Sequence, residues 1–273
     1  MALTACEKEL DFEYHETEPV VVIEGRVTNE GTEILITKSR SVTDSVRGRC
    51  RQGALVAVSV GGEKIPVEYD AATDSYRSAL AGEPGHTYTL TVDFEGRHYE
   101  ATSTMPPAAP IISAEFLWQP VLKERLLVYE VWAADPEPDV RNYYWYRMDR
   151  RSEHQHLKDK DLSQPYRWAV FDDRGNPPGR IYRDLMCTSE RAMDDDKEED
   201  WERLLYDGDE ISFTLMTIDR SVYDYYASLR AGQNGGANPR SNISGGCQGY
   251  FAAGSITRTQ PQVFRREDVS LRN

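Results

Sequence analysis

The side chains that could carry chemistry in this chain do not form a catalytic pattern. The sequence contains neither the Gly-x-Ser-x-Gly turn of a serine hydrolase nor the His-Glu-x-x-His helix of a zinc protease. His154 and His156 would share a face on a strand, but no third metal ligand is evident, and an exposed charged loop is the simpler interpretation. Carboxylates are so abundant that one close pair would not identify a glycosidase. We therefore predict a protein that is not an enzyme and that holds no metal and no cofactor.

The clearest chemical signal is a cysteine near the start. In Leu3-Thr4-Ala5-Cys6, two small residues precede the cysteine and a leucine lies three positions upstream, which resembles a bacterial lipobox. By that resemblance Cys6 becomes an acylated N-terminus, and several acyl chains together anchor a protein stably. Glu7, Lys8 and Glu9 begin an acidic run that is similar to the lipoprotein export signal of Bacteroidetes. Only five residues precede Cys6, fewer than a signal peptide needs, so either the start has been trimmed or the lipobox interpretation is wrong. The alternative is a buried cysteine near the N-terminus.

Composition narrows the classes of partner. The chain has 273 residues, of which 39% are hydrophobic, a net charge of −14 and a mean hydropathy of −0.64. No stretch approaches the roughly 18 apolar residues of a membrane-spanning helix. No nucleic-acid partner is expected, because binding to phosphates requires a basic surface. The length is enough for two domains of ordinary size.

Three cysteines remain beyond the predicted lipidation site: Cys50, Cys187 and Cys247. In an oxidising compartment this number favours one disulfide and one free thiol. Cys187 and Cys247 both fall in the second half of the chain, so they are the favoured pair, although the sequence alone does not determine the connectivity. No Cys-x-x-Cys motif occurs, so neither a zinc ribbon nor a thioredoxin-type site is expected.

The first half has the pattern of a small β-sandwich. After a lipobox and acidic tether in residues 1–18, about seven short strand patterns with turn residues between them fill residues 19–105. This spacing predicts an immunoglobulin-like or transthyretin-like sandwich. Within it, Ser45 lies in an Asp-Ser-Val triplet that resembles the short O-glycosylation sequon of Bacteroidetes, and a three-residue match also arises by chance.

A proline-rich segment separates the two halves. Three prolines in residues 106–110 predict an extended, semi-rigid hinge. Residues 111–273 then predict a second, aromatic-rich antiparallel β domain with one or two short helices, so the whole chain is expected to be all-β. Four tryptophans fall on its predicted strands and serve either as core residues or as a stacking surface for a ligand: Trp118, Trp132, Trp145 and Trp168.

Several short motifs together resemble the DUF4249 family. They are the Val-Ile-Glu-Gly of the first strand, Gly85–Leu90, the tyrosine-rich helix at 223–229 and the closing run 241–251. The resemblance implies a Bacteroidetes lipoprotein, often encoded near TonB-dependent outer-membrane transporters, and it transfers no catalytic residue. Cys247 falls where this resemblance leads us to expect a small or apolar residue, which is a further reason to predict a disulfide there.

Two functions follow as expectations. The first is a lipid-anchored outer-membrane protein that faces the cell exterior and serves as an accessory or capping subunit of a TonB-dependent transporter, with capture of its cargo left open. The second is a glycan-binding module or carbohydrate-active surface protein that uses the aromatic residues of the second domain. An exposed line of the four tryptophans would favour the second function, and burial of all four would favour the first.

Overall fold

The structure, a computed structural model, describes residues 18–39, 48–232 and 238–272. Within these residues the fold is all-β, as predicted, with sixteen strands and two short α-helices. Five residues with predicted roles lie outside the described residues: Cys6, Glu7, Lys8, Glu9 and Ser45.

The first half supplies seven strands. They are β1 (Val21–Thr28), β2 (Gly31–Lys38), β3 (Leu55–Val60), β4 (Glu63–Asp70), β5 (Ser75–Ser78), β6 (Thr87–Phe94) and β7 (Arg97–Thr104). The second half supplies the other nine strands and both helices. They are β8 (Ile111–Val121), β9 (Glu124–Ala134), β10 (Tyr143–Arg151), β11 (Arg167–Asp172), β12 (Arg180–Ser189), α1 (Glu190–Asp195), β13 (Glu210–Ile218), α2 (Arg220–Gly232), β14 (Gln248–Arg258), β15 (Gln262–Val263) and β16 (Ser270–Leu271).

Alternation of apolar and polar residues decides which face of each strand is buried. In β1, Ile23 and Val27 are fully buried, whereas Glu24 and Arg26 on the other face are partly exposed. β2 continues the same alternation and buries Ile34, so the two strands present one apolar face to the core. The opposite face of β1 carries the charged side chains of Glu24 and Arg26.

One large sheet runs through both halves of the chain. Its strand order is β11-β10-β13-β14-β1-β2-β5-β4-β3-β6-β7, and β15 pairs with β13 beside this path. β14 lies between β13 and β1, and it pairs in parallel with β1 so that Tyr250 is opposite Glu24. A smaller sheet has the order β12-β9-β8-β16. β7 ends at Thr104 and β8 begins at Ile111, and β14 brings a strand of the second half beside β1 of the first half.

The proline-rich segment 106–110 is attached to the large sheet. The carbonyl oxygen of Pro106 accepts a hydrogen bond from the Ser255 hydroxyl (2.5 Å), and that of Pro107 accepts one from the Thr217 hydroxyl (2.7 Å). The segment therefore lies against β13 and β14. The structure has a docked connection where the proline pattern predicts a spacer.

Three apolar clusters stabilise the fold. The first fills the N-terminal half and includes Ile243 and Phe251 from the second half. The second lies between the smaller sheet and β10 and β13, where Tyr129 and Phe213 are buried. The third packs beneath α2 on the outer face of the large sheet. Because Phe251 of β14 is fully buried in the first cluster, the N-terminal core is incomplete without the C-terminal strand.

The predicted disulfide between Cys187 and Cys247 is not formed. Both residues are free, buried thiols, and so is Cys50. Cys187 belongs to the second cluster, whereas Cys247 belongs to the first. A disulfide requires Cα atoms within about 7 Å of each other, which two residues packed in separate cores do not provide.

The two helices of the described residues are short. α2 is capped by Asp219, whose carboxylate accepts hydrogen bonds from the Val222 amide (3.0 Å) and the Ser221 hydroxyl (2.6 Å). An aspartate in this position satisfies amide groups that the first helical turn leaves unpaired. Neither α1 nor α2 has the length and apolar character needed to cross a bilayer.

Candidate functional site

β14 changes its pairing partner in the middle of the large sheet. Residues 248–254 pair with β1, and residues 255–258 pair with β13. At the change, Asn29 ties the turn after β1 to β14: its side chain donates to the carbonyl oxygen of Ile256 (3.1 Å) and accepts from the Ile256 amide (2.7 Å). The face of the sheet holds a groove of about 310 Å³ at this junction.

Four arginines and one tryptophan characterise this cavity, which we call the arginine groove: Arg26, Arg77, Arg147, Arg258 and Trp145. All five lie on strands of the large sheet, and a sheet holds side chains more precisely than a loop does. The volume is at the lower end of the range for small-ligand sites. The groove therefore has the scaffold and the size of a binding site.

Strand register builds one wall of the groove from the second half. Arg147 of β10 lies opposite Thr214 of β13, which lies opposite Arg258 of β14. Directly opposed residues of neighbouring strands share a face of the sheet. The Nη1 atom of Arg258 donates a hydrogen bond to the Thr214 hydroxyl (2.6 Å), which fixes the position of that guanidinium.

The other wall comes from the first half by the same rule. Arg26 of β1 lies opposite Glu33 of β2, which lies opposite Arg77 of β5. Arg26 and Glu33 form an ion pair, with 2.5 Å between Nη2 and Oε2. Thus two rows of charged residues, one from each half of the chain, face a common cavity.

The carboxylates of the groove are held in their ionised form by neighbouring arginines. Arg258 binds Glu30 with two hydrogen bonds, of 2.8 Å and 2.7 Å, and this contact lowers the pKa of Glu30. Burial acts to raise the pKa of Glu33, but the hydrogen bond and charge of Arg26 outweigh it, so the pKa of Glu33 is also lowered. Neither carboxylate is suited to donate a proton near neutral pH.

Two of the arginines have guanidinium donors without a hydrogen-bond partner among the described residues. Arg147 donates from Nε to Asp149 (2.6 Å) and more weakly from Nη2 to the carbonyl oxygen of Ser163 (3.4 Å). Arg77 is exposed and forms no ion pair with another described residue. The groove thus has four guanidiniums against three carboxylates, an excess of positive charge in a chain whose net charge is −14.

One end of the groove is aromatic. Arg26 and Trp145 line both the arginine groove and a small adjoining depression beneath α2. The depression is completed by Tyr226 and Tyr250, whose ring centroids lie 5.0 Å apart. Charged donors therefore lie at one side of Trp145 and aromatic rings at the other.

The four tryptophans do not form a line. Trp118 is buried in the smaller sheet and is covered by the guanidiniums of Arg125 and Arg266. Trp132, also in the smaller sheet, is half-buried. It packs on the Tyr182 ring with centroids 4.5 Å apart. These two side chains have structural partners.

Trp145 and Trp168 lie on the large sheet and are both half-buried. Trp168 makes an edge contact with Tyr226 at 5.7 Å. Of the four predicted stacking residues, Trp145 alone lines the arginine groove. The four tryptophans thus form neither an exposed line nor a fully buried set. Their placement does not discriminate between the transporter-subunit role and the glycan-binding role.

The arginines of the groove were not among the predicted site residues. Arg26 of β1 and Arg147 of β10 lie on the partly exposed faces of strands whose other faces are largely buried, and Arg147 and Trp145 share one face of β10 for that reason. This signal identifies the exposed face of each strand. It does not tell which faces of distant strands meet, so the cluster emerges only from the pairing of β14.

His154 and His156 have aromatic partners in the structure. His154 stacks on Tyr206 with ring centroids 3.7 Å apart, and His156 stacks on Trp201 at 3.8 Å. The Nε2 atom of His156 lies 3.5 Å from a carboxylate oxygen of Asp196. Among the described residues, no group of three or more histidine, cysteine or acidic side chains has the geometry to hold a metal ion.

Comparison with known proteins identifies the family. The model of DUF4249, a domain of unknown function, matches residues 7–260. The chain belongs to the DUF4249 family. This confirms the resemblance drawn from the short motifs of the sequence. No curated protein matches the chain, so the activity of the DUF4249 fold has to be argued from its own residues.

Proposed function

We propose that this DUF4249 protein is a surface-exposed outer-membrane lipoprotein of the Bacteroidetes type. In this role it is a non-catalytic accessory or capping subunit of a TonB-dependent transporter, and the arginine groove contacts the cargo. The support for the location is the lipobox-like sequence at Cys6 and the acidic residues that follow it. The acidic composition of the residues after Cys6 is the reason to expect a tether between this anchor and the rest of the chain.

The arginine groove is the observation that carries a binding role. Its carboxylates at Glu30 and Glu33 have lowered pKa values because arginines hold them ionised. A general acid needs the opposite shift, towards the working pH. Charged groups that are already paired, on rigid strands, orient a ligand without reacting with it.

A second candidate function is favoured by one residue. Trp145 is half-buried at the edge of the groove, with charged donors beside it, and this combination is typical of sites that recognise sugars. The alternative is therefore a glycan-binding module or carbohydrate-active surface protein. It would act without a transporter partner.

The deciding experiment is purification of the full-length protein from detergent-solubilised outer membranes of its native host, followed by mass spectrometry. We expect a TonB-dependent transporter in near-equal amount. The Cys6→Ser variant, which cannot be acylated, should disappear from the outer-membrane fraction. Recovery of the lipoprotein alone would exclude the subunit role and leave the glycan-binding alternative.

A further inference from the structure

We infer that the arginine groove binds a carboxylated saccharide, such as a uronic acid within an oligosaccharide. Its carboxylate would contact Arg77 and Arg147, and its ring would pack on Trp145. The inference rests on the proposed ligand-binding role of the groove and specifies the chemical class of the ligand.

The available donors define the charged part of the ligand. Arg258 directs its donors to Glu30 and Thr214, and Arg26 is paired with Glu33. Arg77 acts on Glu33 and Asp70 through its charge, but it forms no close ion pair or hydrogen bond with a described side chain, and Nη1 of Arg147 makes no hydrogen bond to any described residue. Free guanidinium donors match the two oxygens of a carboxylate.

The surrounding carboxylates limit the charge of the ligand. Asp149 lies next to Arg147, and Glu33 lies next to Arg77 in the strand register. The excess of one guanidinium over the carboxylates compensates a single negative charge. A phosphate dianion would carry twice that charge beside the same carboxylates, which favours a carboxylate as the anionic group.

The apolar lining fits the face of a sugar ring. Trp145 of β10 lies opposite Met216 of β13, which lies opposite Ile256 of β14, so three apolar side chains form one short row. A pyranose ring has an apolar face that packs on an indole, and it has hydroxyl groups at its rim. The charged row of Arg147 and Arg258 runs directly beside this apolar row.

A peptide is a poorer match to the groove. The groove lies on the face of the large sheet, and its floor is formed by β13, β14 and β1, which are all paired on both sides. A peptide that adds as a strand needs a free edge, and one that binds as a helix needs a long apolar groove. Neither is present at this place in the described structure.

The test is calorimetric titration of the folded, unlipidated Cys6→Ser protein with a panel of acidic oligosaccharides. The panel contains trigalacturonic acid and oligomers of glucuronate, mannuronate, guluronate and sialate. Each is paired with its methyl ester, which keeps the ring and removes the charge. We expect at least one acid to bind, and its ester to bind at least about tenfold more weakly, because hydrogen bonds to charged groups are the stronger ones.

Variants then locate the site. Arg77→Gln, Arg147→Gln and Trp145→Ala should each weaken binding of that acid by about tenfold. Arg191→Gln is the matched control, because Arg191 is an exposed arginine on α1 outside the groove. Thermal unfolding of each variant checks that the fold is intact, and Arg147→Lys, which keeps the charge without the planar fork, should restore only part of the affinity.

Two results would overturn the inference. One is that no acid of the panel binds more tightly than its ester, and the other is that the groove variants bind like the Arg191 control. Recovery of a transporter in the membrane experiment is independent of both. The titration can therefore exclude saccharide binding while the transporter-subunit role stands. The membrane purification can likewise exclude the subunit role while saccharide binding stands.

Discussion

At the scale of single residues, the ion pairs of the arginine groove do more for position than for stability. Arg26 and Glu33 keep about a third of their side chains exposed, and pairs of this kind contribute up to about 1 kcal/mol. The main effect of the Arg26–Glu33 pair is to fix the positions of its guanidinium and its carboxylate on the sheet. Arg77 lies opposite Glu33 and is therefore next to the Arg26–Glu33 ion pair.

The contribution of Glu33 should depend on pH. Its pKa in the folded state is below the ordinary value of 4.5, because Arg26 outweighs the effect of burial. The stabilisation is therefore present above about pH 4.5 and is lost as the pH falls through the folded-state pKa. We expect Glu33→Gln to lower the free energy of unfolding by about 0.5–1 kcal/mol at pH 7 and by less at about pH 2.5, where more of the Glu33 carboxylate is protonated.

Urea unfolding at the two pH values measures this difference. Glu63→Gln is the control, because Glu63 is exposed on β4 and has no ion pair with a described residue. An equal loss of stability at both pH values would show that Glu33 acts through packing and not through its charge.

The cysteines should behave as buried thiols. Burial raises the pKa of Cys187 to about 12 and that of Cys247 to about 11, so the reactive thiolate is scarce at neutral pH. In the Cys6→Ser protein, we expect a thiol reagent to label neither residue in the native state and to label three thiols after unfolding. Peptide mapping of protein from the native host is the second check. A disulfide-linked pair of peptides that contain Cys187 and Cys247 would contradict the structure.

At the scale of elements, β14 is the strand on which both the fold and the groove depend. It pairs with β1 along its first part and with β13 along its last part. Gly254 lies at the change of partner. A Cβ atom at this position would contact the side chain of Met216 and would lie 2.6 Å from the carbonyl oxygen of Thr217. The close approach of β14 to β13 at this point, which we call the β14 crossing, therefore requires a residue without a side chain.

Gly254→Val should separate the strands at this crossing. The backbone of β13 has little freedom to move, so we expect a loss of about 2–4 kcal/mol in the free energy of unfolding. Ala72→Val places the same side chain at an exposed position in the turn before β5 and should change stability by less than about 0.5 kcal/mol. Equal stability of the two variants would mean that β13 and β14 have room for a side chain at position 254.

At the scale of the whole molecule, the two halves are interdependent. The N-terminal cluster includes Ile243 and Phe251, and β1 is paired on one side only when β14 is absent. The segment 106–110 is held by hydrogen bonds to β13 and β14. A groove whose walls come from both halves therefore needs the complete chain.

A fragment of residues 18–105 tests this interdependence. We expect it to lack a cooperative unfolding transition, because it loses the buried ring of Phe251 and exposes the edge of β1. Near-UV circular dichroism and amide dispersion in NMR spectra would measure the loss against the full chain. A fragment that unfolds cooperatively, with stability close to that of the full chain, would show instead that the first half is an independent domain.

The sequence by itself determined the local structure and the family. Alternation in β1, with Ile23 and Val27 buried, identifies a strand because the side chains of a strand point to opposite faces in turn. Glycine and proline mark the turns because they restrict or free the backbone locally. The short motifs of the first and last strands indicate DUF4249, and the match to residues 7–260 bears this out.

Only the tertiary structure decided what these elements build. The parallel pairing of β1 with β14 joins residues more than 200 positions apart, and no local preference encodes such a pairing or its register. The registers of β10 with β13 and of β13 with β14 likewise place Arg147 and Arg258 in one row beside Trp145, and the fold places Cys187 and Cys247 in different cores. Sequence patterns report which face of a strand is exposed, whereas a binding site depends on which exposed faces meet.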